Sequence, residues 1–259
     1  MAHSGRVMEA DALGLADMAL IAAAFMLGGF VKGLIGVALP MLAMAILTIE
    51  VSVPLAVSLV VLPTLVANIY QGVRPSEFGA AMRRFWPLLL AVVPGIGIGT
   101  GLLASLSSQA LLGFMGVSVL AVVALQIAHP ERAIPRQFER WTTPVVGMFS
   151  GIVGGVVGLY GPPMAVYMAS LRMHKDAFIA SISLANCAAS LPLAVFLYFR
   201  GIAEPAVIAT SIGAMAPMFA GLIAGQRLRG RIDAQLFNRL LQIALIVAGL
   251  NFLRGAIVG

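Results

Sequence analysis

Apolar residues run along this chain in long blocks separated by short polar interruptions. Eight blocks are evident, at 18–49, 52–72, 85–105, 109–128, 143–171, 177–199, 203–226 and 235–257. A membrane-crossing helix needs about 20 apolar residues, so each block predicts a helix able to reach across a bilayer. The first and fifth blocks are clearly longer than one crossing requires. Both carry clustered glycines followed by proline, as in "GGFVKGLIGVALP" at 28–40. Such a stretch predicts a helix that is broken or that dips in and returns, because glycine permits a tight break and proline suits the first turn of a new helix.

The longest polar interruption, "HPERAIPRQFERW" at 129–141, divides the blocks into two sets of four. The chain therefore reads as an N-terminal tail (1–17), a first membrane repeat (18–128), an amphipathic interfacial linker (129–142) with Trp141 at headgroup depth, and a second membrane repeat (143–257). Shifting the sequence by 122 positions lays Gly29, Gly33, Gly36 and Pro40 onto Gly151, Gly155, Gly158 and Pro162. The stretch "MAPMFAGLIAG" in the seventh block echoes "VVPGIGIGTG" in the third. Internal duplication of this kind is typical of transporters.

Charge placement distinguishes two topologies. If every block crosses once, the loop cations divide 9 against 5; if blocks one and five return to the side they left, they divide 11 against 3, with Lys32 and Arg239 left out of both tallies because they lie inside blocks. The positive-inside rule favours the second arrangement, with six full spans, two re-entrant hairpins and repeats inverted relative to each other. The fold class expected is an all-α polytopic membrane protein built from two inverted repeats.

Composition fits this reading. Of 259 residues, 61% are hydrophobic and 10% charged, and mean hydropathy is +1.02, against about 25% charged residues in soluble domains. The net charge of +6 forms no continuous basic tract, so it points to loop topology rather than to nucleic acid. The one cysteine, Cys187, lies within a block and has no internal disulfide partner. The apolar run after residue 17 is too long for the core of a secretory signal.

The chemistry centres on Lys32. A charge deep in a bilayer costs roughly 2.5–3.5 kcal/mol on insertion scales, and all ten acidic residues fall in loops or at block edges. Snorkelling or a structural pairing is the bland alternative. The other reading is that the partner is a bound anion, helped by half-helix N-termini beginning near Pro40 and Pro162, whose free N–H groups and partial positive charge attract anions. The candidate site is Lys32, Gly33, Gly36, Pro40, Asn68, Tyr160, Gly161, Pro162 and Asn186. His3, His129 and His174 all lie in loops, so no metal, cofactor or catalytic cluster is indicated and the chain does not read as an enzyme.

These residues resemble the sulfite exporter TauE/SafE family, also called the toluene-sulfonate uptake permease family. The resemblance rests on Gly29–Lys32–Gly33–Gly36–Pro40 opening the first half and Gly151–Gly155–Gly158–Gly161–Pro162–Pro163 opening the second, with "AFIASISLANCAASLPLAVFLYFRG" matching the sixth segment; it spans residues 18 to 257. Val37, Ala38 and Leu39, and Leu159 and Tyr160, stand where members commonly carry further glycines. The resemblance implies a multi-pass carrier in the bacterial inner membrane that exports a small sulfur-containing anion such as sulfite, sulfoacetate or another organosulfonate. A carrier or channel for a small carboxylate or other organic anion is the alternative. The bilayer and the anion are the expected partners, and a homodimer is one assembly so compact a carrier can take.

Overall fold

The computed structural model describes residues 14–36, 38–72, 75–128, 135–229 and 234–258. They form eleven helices and, among the described residues, no strand: α1 (Leu15–Ile35), α2 (Leu39–Leu47), α3 (Val53–Gly72), α4 (Pro75–Ser105), α5 (Ser108–Ala128), α6 (Arg136–Val157), α7 (Gly161–Ser170), α8 (Lys175–Phe199), α9 (Pro205–Gly213), α10 (Met215–Leu228) and α11 (Ala234–Val258). Among the described residues, five stretches are long and apolar enough to cross a membrane: Ala16–Leu34, Val53–Gln71, Glu77–Ser105, Asp176–Phe199 and Pro205–Leu228. The chain is a polytopic helical membrane protein.

The first and fifth apolar blocks are each interrupted, and by the same device. α1 ends at Gly36, which has a left-handed backbone (φ 90°) and donates its N–H to Lys32 O at 2.8 Å. α6 ends at Gly158, also left-handed (φ 73°), whose N–H reaches Gly154 O at 2.8 Å. Glycine adopts this conformation without the Cβ penalty that other residues meet. A short helix follows each break, α2 with Pro40 and α7 with Pro162 in the first turn, where the missing N–H costs nothing. α2 turns back along α1: a Cβ at Gly28 would lie 3.2 Å from Leu39 O. α7 turns back along α6, and Tyr167 of α7 shares a hydrogen bond with Thr143.

The seventh block is also divided, at Ala214 between α9 and α10. The polar stretch expected as a linker contributes its last residues to the first turns of α6, where Trp141 is 75% exposed; residues 129–134 lie outside the described residues.

Glycine determines which helices approach closely. A Cβ at Gly29 would sit 2.1 Å from Met218 O and one at Gly33 2.3 Å from Leu222 O, while Gly221 and Gly225 would meet Met26 O at 2.0 Å and Phe30 O at 2.1 Å. α1 and α10 thus run parallel with backbones in contact. The same interlock joins α4 to α6: Gly95 against Met148 O (2.4 Å), Gly99 against Ile152 O (2.4 Å), Gly151 against Val92 O (2.4 Å) and Gly155 against Ile96 O (2.7 Å). Small residues four apart are the usual means by which helices associate in lipid, where apolar burial alone gives no preference. α4 and α8 are also parallel, with Gly97 beside Phe196 and Gly101 beside Arg200, whereas α5 and α11 are antiparallel, with Gly116 against Gly249 and Leu253, and Gly113 against Ala256.

Candidate functional site

Buried polar groups gather at each of the two helix breaks, the first against the C-terminal end of α3 and the second against the middle of α8. Lys32, on the last turn of α1, is 2% exposed and donates to Asn68 Oδ1 of α3 at 2.7 Å. No carboxylate among the described residues bonds to it. The Asn68 Nδ2 is buried without a partner, so a donor stands beside the ammonium with nothing to receive it. Gln71, one turn further on, donates to Lys32 O at 3.4 Å, which ties the ends of α1 and α3 together. Arg229, past the end of α10, donates from Nε to Leu34 O at 2.9 Å and satisfies one of the free carbonyls at the end of α1.

The second break is built differently. Tyr160, 2% exposed, hydrogen-bonds Ser190 of α8, and Ser190 in turn donates to Asn186 O at 2.7 Å. The tyrosine fits because residue 154 is glycine: a Cβ there would lie 2.5 Å from Tyr160 Cβ. Asn186, 8% exposed, places its side-chain amide over the start of α7, where a Cβ at Gly161 would meet Asn186 Oδ1 at 3.1 Å; that oxygen has no partner. Neither α2 nor α7 has a side-chain cap at its N-terminus. Cys187, half-buried, follows Asn186 on α8.

The structure brings Lys32 to Asn68 and Gly161 to Asn186, with Tyr160 reaching Asn186 only through Ser190. Pro40 and Pro162 are buried in the first turns of their half-helices, and Gly36 forms the first break. Gly33 lies elsewhere: it faces Leu222 of α10 at the helix contact. Four neighbours were not in the expected set: Ser190, Cys187, Gln71 and Arg229. Ser190 follows Asn186 by four residues and Gln71 follows Asn68 by three, so both stand on the same helix face as an expected residue, a signal that was available. Nothing local marks Arg229 as a partner for α1, since 195 positions separate it from Leu34.

A polytopic helical bundle whose apolar blocks are broken at glycine and proline, with a buried ammonium and buried polar atoms left without partners, has the build of a membrane transporter. The comparison with protein families identifies it further. The sulfite exporter TauE/SafE family model matches residues 20–252, and the chain belongs to that family, whose members are transporters and not enzymes. No curated protein and no solved structure matches the chain.

Proposed function

We propose that the protein is a secondary transporter that exports a small sulfur-containing anion, such as sulfite or an organosulfonate, by alternating access around the two helix breaks. The observation that carries this reading is the Lys32–Asn68 pair: a buried ammonium held by a neutral amide, beside an Asn68 N–H donor with no acceptor. An anion placed there would supply both the missing charge and the missing acceptor. Partial charges at the breaks largely offset, since each break joins one helix C-terminus to one N-terminus, so Lys32 carries the net charge.

The reading includes an inverted pair of repeats with two returning segments. It is supported by the direction of the helices. α1 and α3 have their C-terminal ends together at Lys32, Asn68 and Gln71, α4 and α8 run parallel, and α5 and α11 run antiparallel. A chain crossing once per apolar block would give the opposite direction for each of these pairs. The α1–α10 and α4–α6 interlocks supply a further argument, because each joins the opening helix of one half to the proline-bearing helix of the other.

Counterflow in proteoliposomes tests the function. Vesicles loaded with sulfite, sulfoacetate, taurine, acetate or sulfate are offered labelled substrate, with Lys32→Gln beside the unaltered chain. The expected result is saturable exchange of sulfite or sulfonate that the variant loses. Exchange that prefers acetate would remove the sulfur assignment, and flux that does not saturate or show counterflow would indicate a channel.

A further inference from the structure

Outside the transport region, the structure holds a second polar site at the edge of the apolar belt. A cavity of about 640 Å³ opens between the third and fourth turns of α4 and the first two turns of α6, lined by Arg84, Trp86, Pro87, Glu139, Arg140 and Thr143. Arg84 donates from Nε and Nη2 to the two carboxylate oxygens of Glu139 at 2.6 and 2.9 Å, a two-point contact that fixes both planes. That pairing uses the charge of Arg84 against Glu139. Arg140 has no hydrogen bond or ion pair among the described residues and is exposed, so the cavity retains one net positive charge at its mouth.

The position is as informative as the charge. Trp86 is 56% exposed on the flank of the cavity, and Trp141 and Phe138, next in sequence to the lining residues Arg140 and Glu139, are 75% and 52% exposed. Tryptophans collect where hydrocarbon meets headgroups, because the ring is apolar and its N–H is not. Arg84 stands just before the apolar block beginning at residue 85, and Arg140 lies in the polar stretch before residue 143. The cavity therefore faces the lipid at headgroup depth, on the side where the loop cations gather.

We propose that this cavity binds the headgroup of an anionic phospholipid. The phosphate oxygens sit on Arg140 and on the remaining N–H groups of Arg84, a hydroxyl of the headgroup donates to Glu139, and the acyl chains lie along Trp86 and Pro87. Basic pockets between membrane helices on the positive side take such headgroups by this chemistry. The site is independent of the anion that the protein transports.

The test measures lipid retained by the purified full chain in native mass spectrometry after exchange into vesicles containing phosphatidylglycerol, phosphatidylethanolamine or phosphatidylcholine. Phosphatidylglycerol should be retained in preference to the other two. Arg140→Gln should lower that retention about fivefold, the effect of one basic residue at an anionic surface, and Glu139→Gln should raise it by releasing the Arg84 charge. The opposite signs separate binding from a merely structural role, and Glu139→Gln keeps the test open if Arg140→Gln folds poorly. Equal retention of all three lipids, or retention unmoved by both substitutions, overturns the proposal. A further arm adds inorganic phosphate: displacement of the lipid by millimolar phosphate would make the ligand a soluble anion and overturn the lipid assignment.

Discussion

Lys32 Nζ lies 2.7 Å from Asn68 Oδ1, and the other end of the same amide has no partner. The buried ammonium thus rests on a neutral dipole that holds its position without cancelling its charge. Asn68→Asp is the sharpest test of that arrangement. A carboxylate at this distance would neutralise Lys32 internally, so counterflow should fall at least about tenfold while thermal stability is kept or raised, because a buried charge gains its partner. Transport at the normal rate in Asn68→Asp would show that the charge of Lys32 is not available to substrate.

Cys187 offers a reporter already in place. It is the only cysteine in the chain, half-buried, and next to Asn186 on α8. Alkylation by a small maleimide should be slowed by transported anions and not by anions that fail in counterflow, and Cys187→Ser should keep transport. Protection by every anion alike would place Cys187 away from the substrate.

The signature glycines are expected to act on assembly rather than on substrate. Gly29→Val and Gly221→Val each add side-chain atoms where a Cβ alone would stand 2.1 and 2.0 Å from a carbonyl oxygen of the facing helix. Overpacking of this sort costs roughly 1–3 kcal/mol and more where only backbone can move. Both variants should lose folded protein in a thermal-stability assay. Gly213→Ala, with nothing within 4 Å of the added Cβ, should match the unaltered chain.

Topology is open to direct labelling. In a Cys187→Ser background, single cysteines at Glu50 and Arg172 should react with a membrane-impermeant thiol reagent from opposite sides. Glu50 lies just after α2 and Arg172 just after α7, so the pair reports whether both segments return. Labelling of both from the same side would sink the inverted arrangement.

Disruption of the second cluster should be milder. In Tyr160→Phe the Ser190 hydroxyl keeps its bond to Asn186 O, so the lost contact should cost about 1 kcal/mol of stability. A rise in KM for transport without a change in folded yield would place the Tyr160 hydroxyl on the substrate; unchanged KM would leave it a packing residue.

Much of this molecule follows from local sequence. Long apolar blocks fix the helices, since a backbone in lipid must satisfy its hydrogen bonds within the segment. Gly36 and Gly158, each followed by proline, end one helix and start the next, and these are short-range events written in a few consecutive residues. The confinement of every carboxylate to loops and block edges is equally legible, and it makes Lys32 conspicuous. Tertiary structure alone decided the partners. Gly33 reads as part of a binding motif, yet its missing Cβ is used by Leu222, which lies 189 positions away. Tyr160 could pack or face substrate on sequence grounds, and its place follows from the space left at Gly154 and the hydroxyl of Ser190. Arg229 is an ordinary loop cation until the close approach of α10 to α1 carries it to Leu34 O. Helix formation depends on neighbours within one or two turns, whereas these contacts depend on which glycine-lined faces interlock, and that is a property of the assembled bundle.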